Sequence, residues 1–231
     1  MEKVVVLTGA GMSADSGLKT FRDSDGLWEG FDVNEVATVE GWRTNPEKVL
    51  QFYNSRRKQA YNAEPNKGHK ALAKLEKHFD VTIITQNVDS LHERAGSTDV
   101  IHLHGELSKV RSVKDRSLVY DIGGDPIELG DTAEDDAQLR PHVVWFGEMV
   151  PNMELAAEIV PQADLLIVIG TSLAVYPAAG LVDYAPPNIP KYIIDPVMPD
   201  LYNDTGWTHY KETAATGTPK LLGKLINSNS N

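Results

Sequence analysis

The chain has 231 residues, 41% hydrophobic and 24% charged, with a formal net charge of -11 and a sequence pI of about 5.0. That length suits one sizeable domain carrying a smaller insertion, and the acidity argues against gripping nucleic acid by its phosphates. With no cysteine, disulfides, thiolate catalysis and cysteine-ligated zinc are excluded.

Val4 to Leu7 is a β-branched apolar run that stops at Thr8-Gly9, as a strand buried on both faces does. Because the chain opens Met1-Glu2-Lys3 directly before this run, with no leader and no apolar run of bilayer length, it is expected to be cytoplasmic and free of the membrane. Helical patterns follow over Pro46 to Tyr61 and Lys67 to His78, the second with Leu72 and Leu75 facing inward. Val81 to Thr85, Asp164 to Gly170 and Lys191 to Asp195 repeat the buried-strand pattern. Alternating strands and helices predict a parallel sheet with helices on both faces, whose ligands gather at the carboxyl ends of the strands. Phe31 to about Tyr61 and the polar, turn-rich Ser108 to Leu139 break this rhythm and read as insertions forming a small lobe. The second holds seven acidic residues between Asp121 and Asp136, expected to be a solvated face. The tail Asn227 to Asn231 is expected to fray.

Each predicted strand ends in residues suited to a ligand. Gly9-Ala10-Gly11 after the first strand lets a backbone approach closely, and amides at the next helix start can hold a pyrophosphate. The same glycines also serve ordinary tight turns. Gln86, Asn87 and Asp89 follow the second strand, and Asp89 or Ser90 equally suits a helix start. In Ile101-His102-Leu103-His104-Gly105-Glu106, two histidines two apart share one face if the run is a strand. They fit a metal pair, a base with a neighbour, or two packed histidines, and these six residues leave all three open.

Taken together, "GAGMSADSG", "TFR", "TQNVDSLHERAG", "HLHGEL", "LRPHVVWFGE" and "GTSLAVYPAAG" stand in one order and resemble the sirtuin family of NAD-dependent protein lysine deacylases. The resemblance implies a Rossmann-like domain over 1–30, 62–107 and 140–231. It also implies a lobe with a helical module over 31–61 and a cysteine-free remnant of the zinc module over 108–139. It implies NAD as cofactor, no zinc, and acylated-lysine proteins or peptides as partners, with no nucleic acid or membrane. His104 matches the family's general base, with Asn87 and Asp89 at the nicotinamide and ribose pocket, whereas His102 matches no catalytic role. Cofactor contacts fall to Gly9, Ala10, Gly11, Ser13, Asp15, Thr20, Phe21, Arg22, Trp28, Gln86, Asn87, Asp89, Gly170, Thr171 and Ser172. Asp195, where many members have asparagine, and Ala214 and Ala215 at an adenine-side turn complete that set. Substrate contacts fall to Tyr53, Arg56, Val144, Phe146, Gly147 and Glu148. Tyr53 and Arg56, three apart on one helix face, match the pair by which class III sirtuins read a carboxylate at the end of an acyl chain. The resemblance thus implies removal of succinyl or malonyl groups, and of acetyl groups too. Mono-ADP-ribosyl transfer from NAD, or a non-catalytic NAD- or ADP-ribose-binding module, are the alternatives.

Overall fold

The computed structural model describes residues 1–19, 27–28, 31–201 and 205–228. In chain order the elements are β1 (Lys3–Thr8), α1 (Gly11–Ala14), β2 (Leu27–Trp28), β3 (Phe31–Asp32), α2 (Val33–Val36), α3 (Val39–Thr44) and α4 (Pro46–Asn62). Then come α5 (Lys67–Leu75), β4 (Asp80–Thr85), α6 (Leu91–Ala95), β5 (Val100–His102), β6 (Gly105–Ser112), β7 (Val119–Asp121) and β8 (Leu139–Val143). The chain closes with α7 (Met153–Ile159), β9 (Leu165–Ile169), β10 (Lys191–Ile194), β11 (Trp207–Tyr210) and α8 (Ala214–Ser228).

Strands β11, β10, β9, β1, β4 and β5 lie side by side in that order, every pair parallel. Counted along the chain this is the 3-2-1-4-5-6 order of a Rossmann-like sheet, whose ligand crevice opens where the order reverses, between β1 and β9. Period-two alternation divides the strands between two cores. Val5, Leu7, Leu166 and Val168 pack on one side of the sheet with Leu181 and Val182. Val4, Val6, Leu165 and Ile167 pack on the other with Leu72, Leu75 and Leu221 of α5 and α8. The central strands are buried on both faces, so they appear in the sequence as unbroken apolar runs.

Asn45 caps α4 by accepting from Lys48 N, with Pro46 in the first turn, where its missing N–H costs nothing. Antiparallel β7-β6-β8 forms a separate three-stranded sheet. It extends from Gly105 to Val143, wider on both sides than the 108–139 module read from the sequence. The segment is therefore a folded sheet around Val110 and Ile127, packed on Leu50 of α4. Two α4 side chains stitch it down. Arg57 Nε donates to Leu107 O (2.6 Å) and its Nη1 to Asp125 O (3.3 Å), while Asn54 exchanges bonds with Ile127 N and O. Several of the acidic residues are turn acceptors: Asp121 receives Gly123 N, Asp131 receives Glu128 N, and Asp135 receives Ala137 N.

Candidate active site

A cleft of about 460 Å³ opens at the carboxyl ends of β1, β4 and β9, facing the small lobe. Gly9 and Gly11 form its floor. A Cβ on Gly9 would stand 2.6 Å from the Thr171 Cβ, and one on Gly11 2.7 Å from the Gly170 Cα, so the β1 and β9 turns can pack only as glycines. The helix that follows, α1, is a single turn. The amides of Gly11, Met12 and Ser13 already donate to Gly170 O, Gly9 O and Ala10 O.

Beyond β4 the polar residues form one connected patch. Asn87 Nδ2 donates to Ser13 Oγ (3.1 Å), and Ser13 Oγ donates to Asp89 Oδ2 (3.0 Å). Asp89 Oδ1 also accepts Leu91 N (3.1 Å), so this carboxylate starts α6 as well as lining the cleft. Burial pushes its pKa up, against the bonds from Leu91 N and Ser13. Gln86 Nε2 reaches Thr171 Oγ1 (3.2 Å), tying the β4 loop to the β9 loop.

The two histidines of the "HLHGE" run part company. β5 stops at His102, whose ring is enclosed between Asn87 O (3.0 Å at Nδ1) and Glu93 Oε1 (2.7 Å at Nε2). Burial alone would lower the His102 pKa, but the bond to Glu93 raises it. Among the described residues no group of three or more His, Asp and Glu is arranged to hold a metal. His104, past the strand end, lines the cleft, and its Nδ1 faces Gln86 O (3.0 Å). A carbonyl only accepts, so the proton sits on Nδ1 and Nε2 keeps its lone pair. Burial lowers the His104 pKa, which keeps the ring neutral near pH 7.

On the lobe side, Tyr53 and Arg56 of α4 line the same cleft, next to Trp145. Tyr53 is buried, and burial holds its phenol well above the usual range despite the Trp145 contact and the Arg56 charge; it is a neutral donor. Val144, exposed Phe146 and Gly147 also line the cleft, the loop being fixed by Val144 N to His104 O and Phe146 N to Ala37 O (both 2.9 Å). Glu148 lines the cleft as well. Its carboxylate takes Arg140 Nη1 and Nη2 (2.9 and 3.0 Å), Arg111 Nη2 (3.4 Å) and Trp145 N (2.9 Å), so it also holds the loop's own framework.

The cleft also gathers Ala10, Ser172, Asp195 and Ala214. Asp195 Oδ1 accepts Val197 N (2.9 Å). Ala214 and Ala215 form the first turn of α8 instead of a free turn, and Ala215 N donates to Asp15 Oδ2 (3.2 Å). That pair ties the end of α1 to the start of α8, and neither residue is in the cleft lining. Thr20, Phe21, Arg22 and the Trp28 side chain lie outside the described residues. Sequence reasoning gave no role to the cleft-lining residues Leu107 and Trp145, which lie within the quoted motifs, or to Val150 just beyond one.

The Sir2 family model matches residues 9–177. An NAD-dependent protein deacylase of Helicobacter pylori (strain ATCC 700392 / 26695) is 55% identical over 226 residues, covering 98% of each chain. A solved Sir2 homolog–NAD complex superposes with a TM-score of 0.89 at 38% identity, covering 98% of this chain and 90% of its own. A Sir2 bound to acetylated peptide superposes with a TM-score of 0.78 at 27% identity, covering 98% and 93%. The chain belongs to the Sir2 family.

Proposed function

We propose that this Sir2-family chain removes acyl groups from protein lysines with consumption of NAD, and that it favours acyl chains ending in a carboxylate. NAD-dependent deacylation follows from the family and from a deacylase relative matched along almost the whole chain. The cleft suits the cofactor: glycine-walled turns from β1 and β9 stand at the sheet's switch point, beside the polar patch of Ser13, Asn87 and Asp89. Bound NAD supplies a glycosidic bond whose cleavage releases nicotinamide and opens the ribose C1′ to the acyl oxygen of the substrate lysine.

In this reading the chain's own groups act as follows. Asn87, Ser13 and Asp89 orient the ribose, and the Asp89 carboxyl, receiving two hydrogen bonds, offsets positive charge as it develops. Trp145 and Phe146 shield the reacting end from water. His104 Nε2, its lone pair held ready by the Nδ1 bond, takes the proton of a ribose hydroxyl. The freed ribose oxygen attacks the acyl carbon, one water completes cleavage of its bond to the lysine nitrogen, and nicotinamide, O-acyl-ADP-ribose and free lysine leave.

The observation that carries the acyl preference is the pairing of a neutral phenol and a guanidinium, Tyr53 and Arg56, in the lining of this cleft. Guanidinium suits a terminal carboxylate by a bidentate contact. Deleting such a contact removes roughly 1.5–3 kcal/mol, about ten- to more than a hundredfold. Arg56→Met should cut kcat/KM on succinyl-lysine peptides by that factor while leaving acetyl-lysine peptides within about twofold. An unchanged succinyl-to-acetyl ratio would reject the preference and leave a general deacylase.

A further inference from the structure

Beneath the cleft, between α5 and α6, His69 and His92 are both fully buried, with ring centroids 4.9 Å apart. Neither touches the cleft. The hydrogen bonds fix both tautomers. His69 Nδ1 accepts Asn66 N (3.3 Å), so its proton is on Nε2. The Thr8 hydroxyl spends its single proton on Thr85 Oγ1 (2.8 Å), so the 3.1 Å contact between Thr8 Oγ1 and His92 Nε2 requires an Nε2–H donor. His69 Nε2–H and the His92 Nδ1 lone pair make no hydrogen bond among the described residues, and the two rings meet edge to face, so His69 backs His92 by packing. Burial holds the His69 pKa down to about 4 and that of His92 well below its ordinary value, so both stay neutral at working pH.

The chain of bonds then reaches the catalytic loop. Thr85 Oγ1, its lone pair oriented by Thr8, accepts Asn87 N (3.0 Å), and the Asn87 side chain carries on to Ser13 and Asp89. At the other end Asn66 holds Met12 O (2.8 Å) and Ser16 Oγ (3.1 Å) next to the β1 turn. We propose that His92, backed by His69, is a positioning residue for the reaction. By donating to Thr8 it turns the Thr8 hydroxyl onto Thr85, and so fixes the backbone of Asn87 against the ribose. Without the imidazole donor, Thr8 is free to rotate its proton elsewhere, and the Asn87 amide loses an oriented acceptor. This rests on the reading that Asn87 and Asp89 act at the ribose.

The test compares kcat and KM for NAD in His92→Leu, His92→Gln, Thr8→Val and the double variant Thr8→Val/His92→Leu, with folding followed by circular dichroism and thermal melting. The glutamine amide nitrogen reproduces the Nε2 donor. His92→Leu should lower kcat about tenfold with KM for NAD within about twofold, because the glycine turns of β1 and β9 are untouched. His92→Gln should recover most of that loss, and the double variant should be no worse than the poorer single one. Unchanged kcat in a folded His92→Leu, a glutamine variant as poor as the leucine, or losses that multiply in the double variant would overturn the proposal. If His92→Leu does not fold, Thr8→Val breaks the same link, and unchanged kcat there is equally fatal. Asn87→Ala separates the two levels. Full activity in that variant rejects the ribose reading itself, whereas its loss beside an unaffected His92→Leu rejects only the relay.

Discussion

Replacing Glu148 by glutamine should destabilise the fold without acting as a substrate-binding change. The Glu148 side chain is 8% exposed, and those of its partners Arg140 and Arg111 are 6% and 9% exposed. Removing the carboxylate charge therefore leaves two buried guanidinium groups facing each other with no anion between them. Breaking a buried pair from one side costs about 3–5 kcal/mol, and since glutamine keeps one acceptor oxygen, about 3 kcal/mol is expected. For a chain of this size that is a fall in Tm of roughly 6–12 °C. Burial opposes ionisation of Glu148, but the Arg140 bond, the Trp145 amide and the charges of Arg140 and Arg111 together hold its pKa below the ordinary value. The sign follows: the stabilisation is present above the ordinary glutamate pKa and is lost as pH falls through the depressed one, so the deficit of Glu148→Gln shrinks in acid. Urea unfolding of the wild type, Glu148→Gln, Arg140→Met and the double variant measures the coupling, and the double variant should lose clearly less than the two single losses combined. A Glu148→Gln loss under 1 kcal/mol, with a raised KM for peptide instead, would return Glu148 to the substrate and refute the framework role.

His104→Ala should lower deacylation by roughly 10²–10⁴-fold, whereas His102→Ala, which removes the contacts to Glu93 and Asn87 O, should lower Tm and keep its rate loss under about tenfold; equal rate losses in folded protein would contradict the assignment of the base. Elemental analysis of purified protein should find no stoichiometric zinc, and chelators should leave activity unchanged, since no cysteine is present to hold it; one tightly bound zinc per chain would refute this. Acid should destabilise the chain through His69, whose pKa falls from 6.5 to about 4 on folding: the unfolded chain takes the proton first, removing about 3 kcal/mol as pH drops from 6.5 towards 4. His102, with its raised pKa, acts in the opposite sense; urea midpoints across that window should fall less steeply in His69→Gln than in the wild type, and parallel curves would exclude the pair as the cause.

What the sequence disclosed follows burial. β1, β4, β9 and β10 were legible because strands covered on both faces have no polar alternation to interrupt them. β5 is three residues long and merges with the "HLHGE" run, and Trp207–Tyr210 at the opposite edge has two adjacent polar residues between aromatics and no apolar run. The β7-β6-β8 sheet was hidden because its strands carry Lys109, Arg111, Asp121 and Arg140, charges that read as loop until their partners are known. In the site, the glycines and the Asn87–Asp89 pair were legible as polar or small residues at strand ends. The framework bonds of Glu148 were not legible because its motif gives no sign of Arg111, distant in sequence but in contact through the lobe sheet. His69 passed as one position of an amphipathic helix, since nothing local points to His92.

The lobe's means of staying folded and its means of shaping the pocket are the same set of contacts. A cysteine-free module must hold its strands by side-chain bonds, and the bonds it uses end on residues of the cleft wall. Arg57, buried and without a carboxylate partner among the described residues, donates to Leu107 O, and Leu107 N in turn donates to Val88 O between Asn87 and Asp89. Burial lowers the Arg57 pKa to about 10, still cationic at neutral pH, so carbonyl dipoles alone must compensate the charge. Arg140 stacks 3.2 Å over the Trp145 ring while Glu148 holds it, and Trp145 lies against Tyr53 with centroids 6.5 Å apart. Loosening the lobe therefore moves both the Tyr53 wall and the Asn87 loop. One network of contacts thus holds the lobe and shapes the cleft wall, and its buried arginines are held by carbonyl, carboxylate and ring contacts.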